Sequence, residues 1–307
     1  MILYSRLLKS IPVILISGLT LSCEDIIDPN LENAEAVVVV DAWINNKSES
    51  QIIRLTTTQP YFESRTPVGV PNATVTITDD TGKGYLFNED FFERGTYVWN
   101  PPSNEVLGEV GRQYLLTIQH NGETYQASSY MGRVPVIDSI TFTFEEENSF
   151  QPDSYIADFW ATDPKGKGDA YWIRATKNGE KLNRPREINL AFDAGFSAGG
   201  DFDGVTFITP IRRGVNPLDV DDNDQLLSPF QPGDVLAVEI HSITPEAFNF
   251  MNEVIIQTDR PGGFAELFAA PISNVSTNIF NVNTDGPKVL GFFNVAAVSS
   301  AIQKFEQ

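Results

Sequence analysis

The chain has 307 residues, of which 41% are hydrophobic and 11% aromatic, so it carries enough apolar side chains for packed cores and is not a disordered tail. Its formal net charge of -20 repels phosphate backbones, which argues against a nucleic-acid partner. The single cysteine, Cys23, excludes a framework of intrachain disulfides.

The N-terminus has the pattern of an export signal. Arg6 and Lys9 precede an apolar run at 11–21, about half as long as the roughly 20 residues that a membrane-spanning helix needs. The run leads to Cys23, and the residues before it resemble a bacterial lipobox. We therefore predict that 1–22 are a lipoprotein signal peptide and that Cys23 carries the lipid anchor. A cleaved signal peptide followed by an incidental cysteine is the alternative.

The segment 23–35 is polar and acidic, and we interpret it as a tether between the anchor and the fold. Glu24 and Asp25 directly follow the cysteine. They resemble the acidic export tag of lipoproteins that Bacteroidetes send to the outer face of the outer membrane. The predicted location is therefore the outer membrane, lipid-anchored and facing the cell exterior.

Seven short strands are predicted in a first domain at 36–132, because β-branched and aromatic residues alternate between turn residues. Val75 and Ile77, for example, alternate with threonines, and Asn121-Gly122 is a favoured hairpin turn. Short strands with regular turns are typical of a β-sandwich. The predicted strands are 36–44, 51–60, 73–80, 84–87, 95–99, 114–120 and 124–131.

A second β-rich domain is predicted at 133–307, because Pro135 cannot donate to a sheet and marks a boundary. One short helix is expected near 245–257, since Thr244 is a good N-cap and Pro245 suits the first helical position. The fold class is thus all-β, with two sandwich-like domains. The predicted strands of the second domain are 139–147, 155–163, 170–181, 187–193, 204–212, 234–243 and 289–305.

Two long loops rich in Gly, Asn and Asp interrupt the second domain, at 194–204 and 214–229. Loops of this length are uncommon unless they are functional or disordered. Binding residues on a rigid β scaffold are usually found in such loops. We expect any ligand site to involve them.

The sequence offers few groups for catalysis. His241 shares a strand face with Glu239. The two residues are either an acid–base pair or part of an ordinary polar strand face. His120 adjoins a hairpin turn. The motifs of serine hydrolases, P-loop enzymes and zinc proteases are absent from the sequence. We therefore predict a protein that is not an enzyme. The tryptophans form either an aromatic platform for a ligand or parts of the cores: Trp43, Trp99, Trp160 and Trp172.

One acidic loop has the alternating oxygen ligands of a calcium site. The first ligand positions of an EF-hand loop are matched by Asp219, Asp221 and Asn223. The glycine and the glutamate that this loop requires further on are missing. The sequence is not an EF-hand, and no cofactor is predicted. A looser calcium site at these residues stays open, against the alternative of a solvated acidic loop. Asp201 and Asp203 have the same two interpretations.

Several segments occur in an order that resembles one family. They are VVVVDAWI, IIRLTTTQPYF, GEVGRQYLLTI, GDVLAVEIHSITPEAFNFM and VLGFFNVAAVSS. The chain resembles a family of Bacteroidetes outer-membrane lipoproteins labelled domain of unknown function 4249. The resemblance implies a surface lipoprotein encoded beside SusC-like TonB-dependent transporters, with an N-terminal sandwich similar to prealbumin or an immunoglobulin domain. Only the lipidation of Cys23 transfers to a particular residue.

Two functions follow as hypotheses. The first is a non-catalytic binding or accessory partner of a SusC-like TonB-dependent transporter, with an unknown cargo. The alternative is a structural or assembly component of an outer-membrane complex that binds no small ligand. The proteins that co-purify with the chain would distinguish the two.

Overall fold

The computed structural model describes residues 35–60, 63, 65–102, 105–146, 153–221 and 226–306. The predicted signal peptide, Cys23 and nearly all of the tether lie outside these residues. The segment Ala36–Gln307 is one compact unit. Over the described ranges, every helix is too short or too polar to span a membrane.

The predicted all-β class is confirmed, and the strands of the first half follow the predicted ones closely. Both central residues of the Asn121-Gly122 turn have positive φ, of 50° and 84°, as a tight hairpin of this kind requires. The strands are β1 (Val38–Asn45), β2 (Gln51–Thr57), β3 (Thr74–Asp79), β4 (Gly84–Glu89), β5 (Thr96–Trp99), β6 (Gln113–His120) and β7 (Glu123–Tyr130).

In the described part of the second half, the strands range from two to nine residues and two α-helices occur. The helix α1 is Thr209–Arg213 and α2 is Pro245–Thr258, and one-turn to two-turn 3-10 helices lie at Pro185–Glu187 and Gly263–Phe268. The strands are β8 (Ile137–Glu145), β9 (Ser154–Ala161), β10 (Ala170–Lys177), β11 (Glu180–Leu182), β12 (Asn189–Phe192), β13 (Val235–Ile243), β14 (Phe280–Asn281), β15 (Val289–Ala296) and β16 (Val298–Lys304).

The first sheet has nine strands in the order β14-β7-β6-β3-β4-β5-β2-β1-β15. Two contacts indicate that the sheet curves strongly. The strand β4 pairs with β3 through one end and with β5 through the other. Val295 on β15 donates its N–H to Ser129 Oγ on β7 at 2.9 Å, although these strands lie near opposite edges of the sheet. The alternate side chains of these strands enclose the first core, which includes Tyr97, Tyr114 and Phe293.

The strand β15 runs parallel to β1, with Val38 opposite Val289 and Asn45 opposite Ala296. Gly291 lies opposite Val40 with a φ of 98°, and a Cβ at this position would overlap the Val40 carbonyl. Only glycine combines that conformation with such a close approach of two backbones.

The second core lies between the β8–β9 pair and the sheet that contains β10, β13 and β16. Phe159, Tyr171, Phe207 and Phe230 are its largest fully buried side chains. A third core lies on the opposite face of this sheet, beneath α2, and includes Phe248, Met251 and Phe292. Because Phe292 belongs to β15, this third core connects the two sheets.

The predicted helix near 245–257 is confirmed as α2, and the Thr244 hydroxyl accepts the Ala247 N–H at 3.1 Å as an N-cap. The strand predicted at 204–212 is wrong, since its second half forms α1. Pro210 lies in the first turn of α1, where a proline needs no N–H partner.

The strand predicted at 289–305 is two strands that belong to different sheets. They separate at Ala297, whose N–H is donated to Ser242 Oγ at 2.8 Å and whose carbonyl accepts the Ser242 N–H at 2.9 Å. The domain boundary predicted between 132 and 133 lies in the connection from β7 to β8. The chain nevertheless returns to the first sheet through β14 and β15.

Candidate functional site

The outward face of the second sheet carries the polar residues of β10 and β13. Tyr171, Ile173 and Ala175 point into the second core, so Trp172 and Arg174 lie on the opposite face. On β13, Glu239 and His241 occupy that same outward face, as their alternation predicts. The register places Trp172 opposite His241 and Arg174 opposite Glu239.

Helix α2 covers one end of this face and leaves the other end open. At the covered end, Trp43 lies 5.4 Å from Trp172 edge-on and 5.8 Å from Phe292 in a stack, measured between ring centroids. Phe250 from α2 lies 4.6 Å from Phe292. These rings fix one edge of Trp172 and leave the indole half-buried at the margin of the open end.

The open end is a cleft of about 510 Å³. Its floor is β10 and β13, one wall is the β1–β2 turn, and another is the segment after β11. The cleft combines one aromatic ring with charged side chains of both signs. The residues that define it are Lys47, Glu49, Trp172, Arg174, Lys181, Asn183, Glu187 and Glu239.

Glu239 is bound by two partners inside the cleft. Its Oε1 lies 2.7 Å from Lys47 Nζ, and its Oε2 lies 2.9 Å from His241 Nε2. The hydrogen bond from His241, reinforced by Lys47, lowers the pKa of the Glu239 carboxyl to about 2. Glu239 is therefore an ionised structural anion rather than a group ready to exchange protons near neutral pH.

His241 is 6% exposed and faces Glu239 and the Trp172 ring. Burial lowers the pKa of His241, and the positive charge of Arg174 acts in the same direction, although the hydrogen bond to Glu239 opposes both. Near neutral pH the imidazole is neutral and donates to the carboxylate. The predicted His241–Glu239 neighbourhood thus exists, but its polar atoms are directed at each other.

Arg174 differs from every other arginine in the described part of the chain. Its guanidinium carbon lies 4.7 Å from the Trp172 ring centroid, and no described residue forms a hydrogen bond or ion pair with it. The other described arginines each have a carboxylate oxygen within 4.0 Å: Arg54, Arg65, Arg94, Arg112, Arg133, Arg184, Arg186, Arg212, Arg213 and Arg260. Lys181, which also lines the cleft, likewise has no ion-pair partner among the described residues.

The calcium residues expected from the sequence are only partly described. Asp219 forms an ion pair with Arg184, Asp221 lies at the end of a described segment, and Asn223 lies outside the described residues. Asp201 is fully exposed and lies 3.9 Å from Lys167 Nζ. Asp203 accepts the Gly166 N–H at 2.6 Å.

The structure brings together three other carboxylates, which the sequence did not single out. Asp163, Asp169 and Asp193 each place one oxygen within 4.8 Å of the others. They come from the ends of β9 and β12 and from the residue before β10, so only the folded sheet unites them. Tyr171 donates its hydroxyl to Asp163 at 2.7 Å, and Arg133 lies 2.7 Å from Asp169.

Burial raises the pKa of Asp163, and the neighbouring carboxylates of Asp169 and Asp193 raise it further. The N–H groups of Gly168 and Asp169 both donate to Asp193, at 2.8 and 3.1 Å. Internal donors and the Arg133 guanidinium thus already occupy much of this cluster. Carboxylate oxygens are also the ligands that hard cations such as Ca²⁺ prefer.

The four tryptophans divide between cores and surface. Trp99 is 8% exposed in the first core, and Trp43 packs in the third. Trp160 is 37% exposed, with the Arg212 guanidinium carbon 3.7 Å from its ring centroid. Trp172 alone borders the cleft. His120 lies half-buried at the β6–β7 turn of the first sheet, whereas His241 belongs to the second sheet.

A second exposed feature follows α2. Phe264 is 77% exposed, Leu267 74% and Phe268 80%, and the two phenylalanine rings lie 5.7 Å apart. The segment is held in place because Arg260 forms an ion pair with Glu266 and donates to the Ala270 carbonyl at 2.6 Å. Its apolar side chains therefore point outward from a fixed backbone.

Comparison with known families gives one decisive match. The family described as a domain of unknown function, DUF4249, matches residues 24–302. The chain belongs to this family. The match confirms the DUF4249 family that the ordered segments resemble, and it extends over the described part of this DUF4249 protein into β16.

No curated protein matches the DUF4249 chain. Among solved structures, it is similar to a DUF4785 family protein from Legionella pneumophila subsp. pneumophila str. Philadelphia 1, at 12% identity and a TM-score of 0.20. The similarity covers 67% of this chain and 52% of the Legionella protein, so the chain spans about half of that protein's length.

Proposed function

We propose that this DUF4249 protein is a surface-exposed outer-membrane lipoprotein that binds a ligand without catalysing a reaction, as the accessory partner of a SusC-like TonB-dependent transporter. The supporting observation is how the charged groups that line the cleft are paired. Its acidic groups are bound internally, whereas an aromatic edge and two cations remain available. That combination favours recognition of a ligand over proton transfer to one.

The cleft lacks the free acid and base that a hydrolase requires, within the part of the chain that the structure describes. A general base works best with a pKa near the operating pH. Glu239 has a pKa of about 2, and both of its oxygens are occupied. His241 is too buried to reach a substrate in the cleft. Binding is the function that these groups can perform.

The anchoring part of the proposal rests on the sequence. Cys23 follows an export signal, and Glu24 and Asp25 resemble a surface-export tag. The residues between Cys23 and Val38 could span at most roughly 50 Å when fully extended. That reach is sufficient to hold the sandwich clear of the membrane surface and beside a neighbouring barrel.

The test is an affinity pull-down of the C-terminally tagged protein from detergent-solubilised outer membranes, analysed by mass spectrometry. We expect a TonB-dependent barrel in stoichiometric amounts with the wild type. We expect the Cys23→Ala variant, which cannot be acylated, to leave the membrane fraction and lose the barrel. Recovery of the wild-type protein alone would contradict the transporter role.

The second candidate, a structural or assembly component of an outer-membrane complex, is favoured by the exposed apolar segment after α2. Such exposed apolar side chains on a fixed backbone are typical of protein contacts. If this candidate is right, Phe264→Ser/Phe268→Ser abolishes co-purification of the assembly partners. Phe91→Ser/Phe92→Ser, which changes two aromatics at the β4–β5 turn that are even more exposed, is the matched control and leaves the partners bound.

A further inference from the structure

We infer that the cleft binds a ligand that carries a carboxylate beside a flat apolar face. Arg174 and Lys181 would bind the anion, and Trp172 would contact the apolar face. The inference rests on the proposed function, because it assigns a ligand class to the same cleft. It goes beyond that function by predicting the sign of the ligand's charge.

The inventory of charges in the cleft supports an anionic ligand. Glu239 is bound by Lys47 and His241, and Glu49 lies 3.4 Å from Lys47 Nζ. Glu187 is 9% exposed and accepts the backbone N–H groups of Arg184 and Leu218, at 3.0 and 3.5 Å. Every carboxylate of the cleft therefore has internal donors. The remaining hydrogen-bonding capacity consists mostly of donors.

The unpaired Arg174 is the strongest part of this inventory. The chain has a formal net charge of -20, so a cation within it has many carboxylates to pair with. Glu239 lies directly opposite Arg174 in the register, yet its oxygens go to Lys47 and His241. The result is a half-buried guanidinium with all of its N–H donors free. A guanidinium matches the two oxygens of a carboxylate in a bidentate geometry.

The neighbouring groups define the rest of the ligand. Trp172 is half-buried at the margin of the cleft, and the Arg174 guanidinium lies over one face of its ring, so the ligand contacts the part of the indole that stays exposed. Thr176 follows on the same face of β10, and Asn183 lines the cleft from the segment after β11. Their side chains have no hydrogen bond to a described residue. They can accept or donate hydrogen bonds to hydroxyl or amide groups near the anion.

Two ligand sources share this chemistry, an acidic saccharide and an N-acylated aromatic amino acid. The experiment is isothermal titration calorimetry of the folded chain with an oligogalacturonate and with N-acetylphenylalanine. Each has an uncharged counterpart of similar shape, a galacto-oligosaccharide and N-acetylphenylalanine amide. We expect one acid to bind roughly tenfold or more tightly than its counterpart, with an affinity that falls as salt is added.

Three variants test whether Arg174 causes the preference for the acid. Arg174→Gln should remove the preference for the acid, and Arg174→Lys should retain part of it, since the charge remains but the bidentate geometry is lost. Arg54→Gln removes the same charge from an exposed position on β2 and should leave binding unchanged. A circular dichroism melt of each variant separates lost binding from lost folding.

Equal binding of an acid and its counterpart, or an unchanged preference in Arg174→Gln, would overturn the anionic ligand class. The proposed binding function would then stand, because the protein still binds a ligand. Failure of both acids to bind at millimolar concentration also overturns the inference. In that case the co-purification of a transporter decides separately whether the accessory role survives.

Discussion

Replacing Glu239 by glutamine removes the negative charge that Lys47 and His241 share, while the shape of the side chain is kept. The carboxyl pKa lies at about 2 in the folded protein, against 4.5 for the free group, and this difference corresponds to roughly 3 kcal/mol. Lys47 is 38% exposed, so solvent screening reduces the value. We expect Glu239→Gln to lower the free energy of unfolding by about 1–2 kcal/mol at pH 7.

The same substitution has a defined pH dependence. A carboxyl with a lowered pKa in the folded state stabilises the protein fully above pH 4.5, and this stabilisation is lost as the pH falls from 4.5 toward 2. The difference in unfolding free energy between wild type and Glu239→Gln should therefore shrink to less than half between pH 6 and pH 3. The pKa of His241 is also lowered in the folded protein, so protonation of this imidazole favours the unfolded state. Acid should therefore destabilise the wild type from about pH 6.5 downward.

Urea unfolding followed by tryptophan fluorescence measures both quantities at a series of pH values. Glu49→Gln is the matched control, because Glu49 also contacts Lys47 but its side chain is 47% exposed. That variant should lose less than about 0.5 kcal/mol, as is usual for exposed ion pairs. Equal losses in the two variants, or a loss that does not change with pH, would refute the assignment of Glu239 as the ionised centre of this network.

Three further predictions concern stability and are read from equilibrium unfolding curves. Gly291→Ala should cost about 2 kcal/mol or more, because it adds a Cβ at positive φ against the Val40 carbonyl; Gly82→Ala, also at positive φ but with open space around it, should cost about 1–2 kcal/mol. Thr244→Ala removes the N-cap of α2 and should cost about 1 kcal/mol, whereas Thr244→Ser should be nearly neutral. Asp158→Ala leaves Arg212 without its buried partner at 3.2 Å and should cost about 3–5 kcal/mol; a loss below 1 kcal/mol would mean that the pair adds little.

Local patterns predicted most of the strands, because alternation and turn residues act over a few neighbouring positions. The helix α2 was predictable for the same reason, since its cap and first-turn proline are adjacent in sequence. The segment 204–212 was not, because Val205, Phe207 and Ile211 suit a strand as well as a helix. Proline in the first turn and packing against β9 decided between them.

The cleft could be only half predicted. Alternation along the strand predicted that Glu239 and His241 share one face of β13, whereas the polar face of β10 with Trp172 and Arg174 became evident only in the structure. Their opposition across β10 and β13 depends on register, which local pattern does not determine. The arrival of Lys47 from the β1–β2 turn depends on packing between sheets, so the neutralisation of Glu239 and the isolation of Arg174 emerge only in the fold.

The parallel pairing of β1 with β15 has a consequence for folding kinetics. The two strands are separated by roughly 250 residues, and loop closure over such a distance is slow. Until Val289–Ala296 is available, β1 presents an open hydrogen-bonding edge on which Val38, Val40 and Ala42 alternate. An open edge of this kind is a site for pairing with other chains. The first sheet therefore starts at the N-terminal strand of the folded unit but is among the last parts to be completed. A nascent or truncated chain that lacks β15 should be prone to edge-to-edge aggregation.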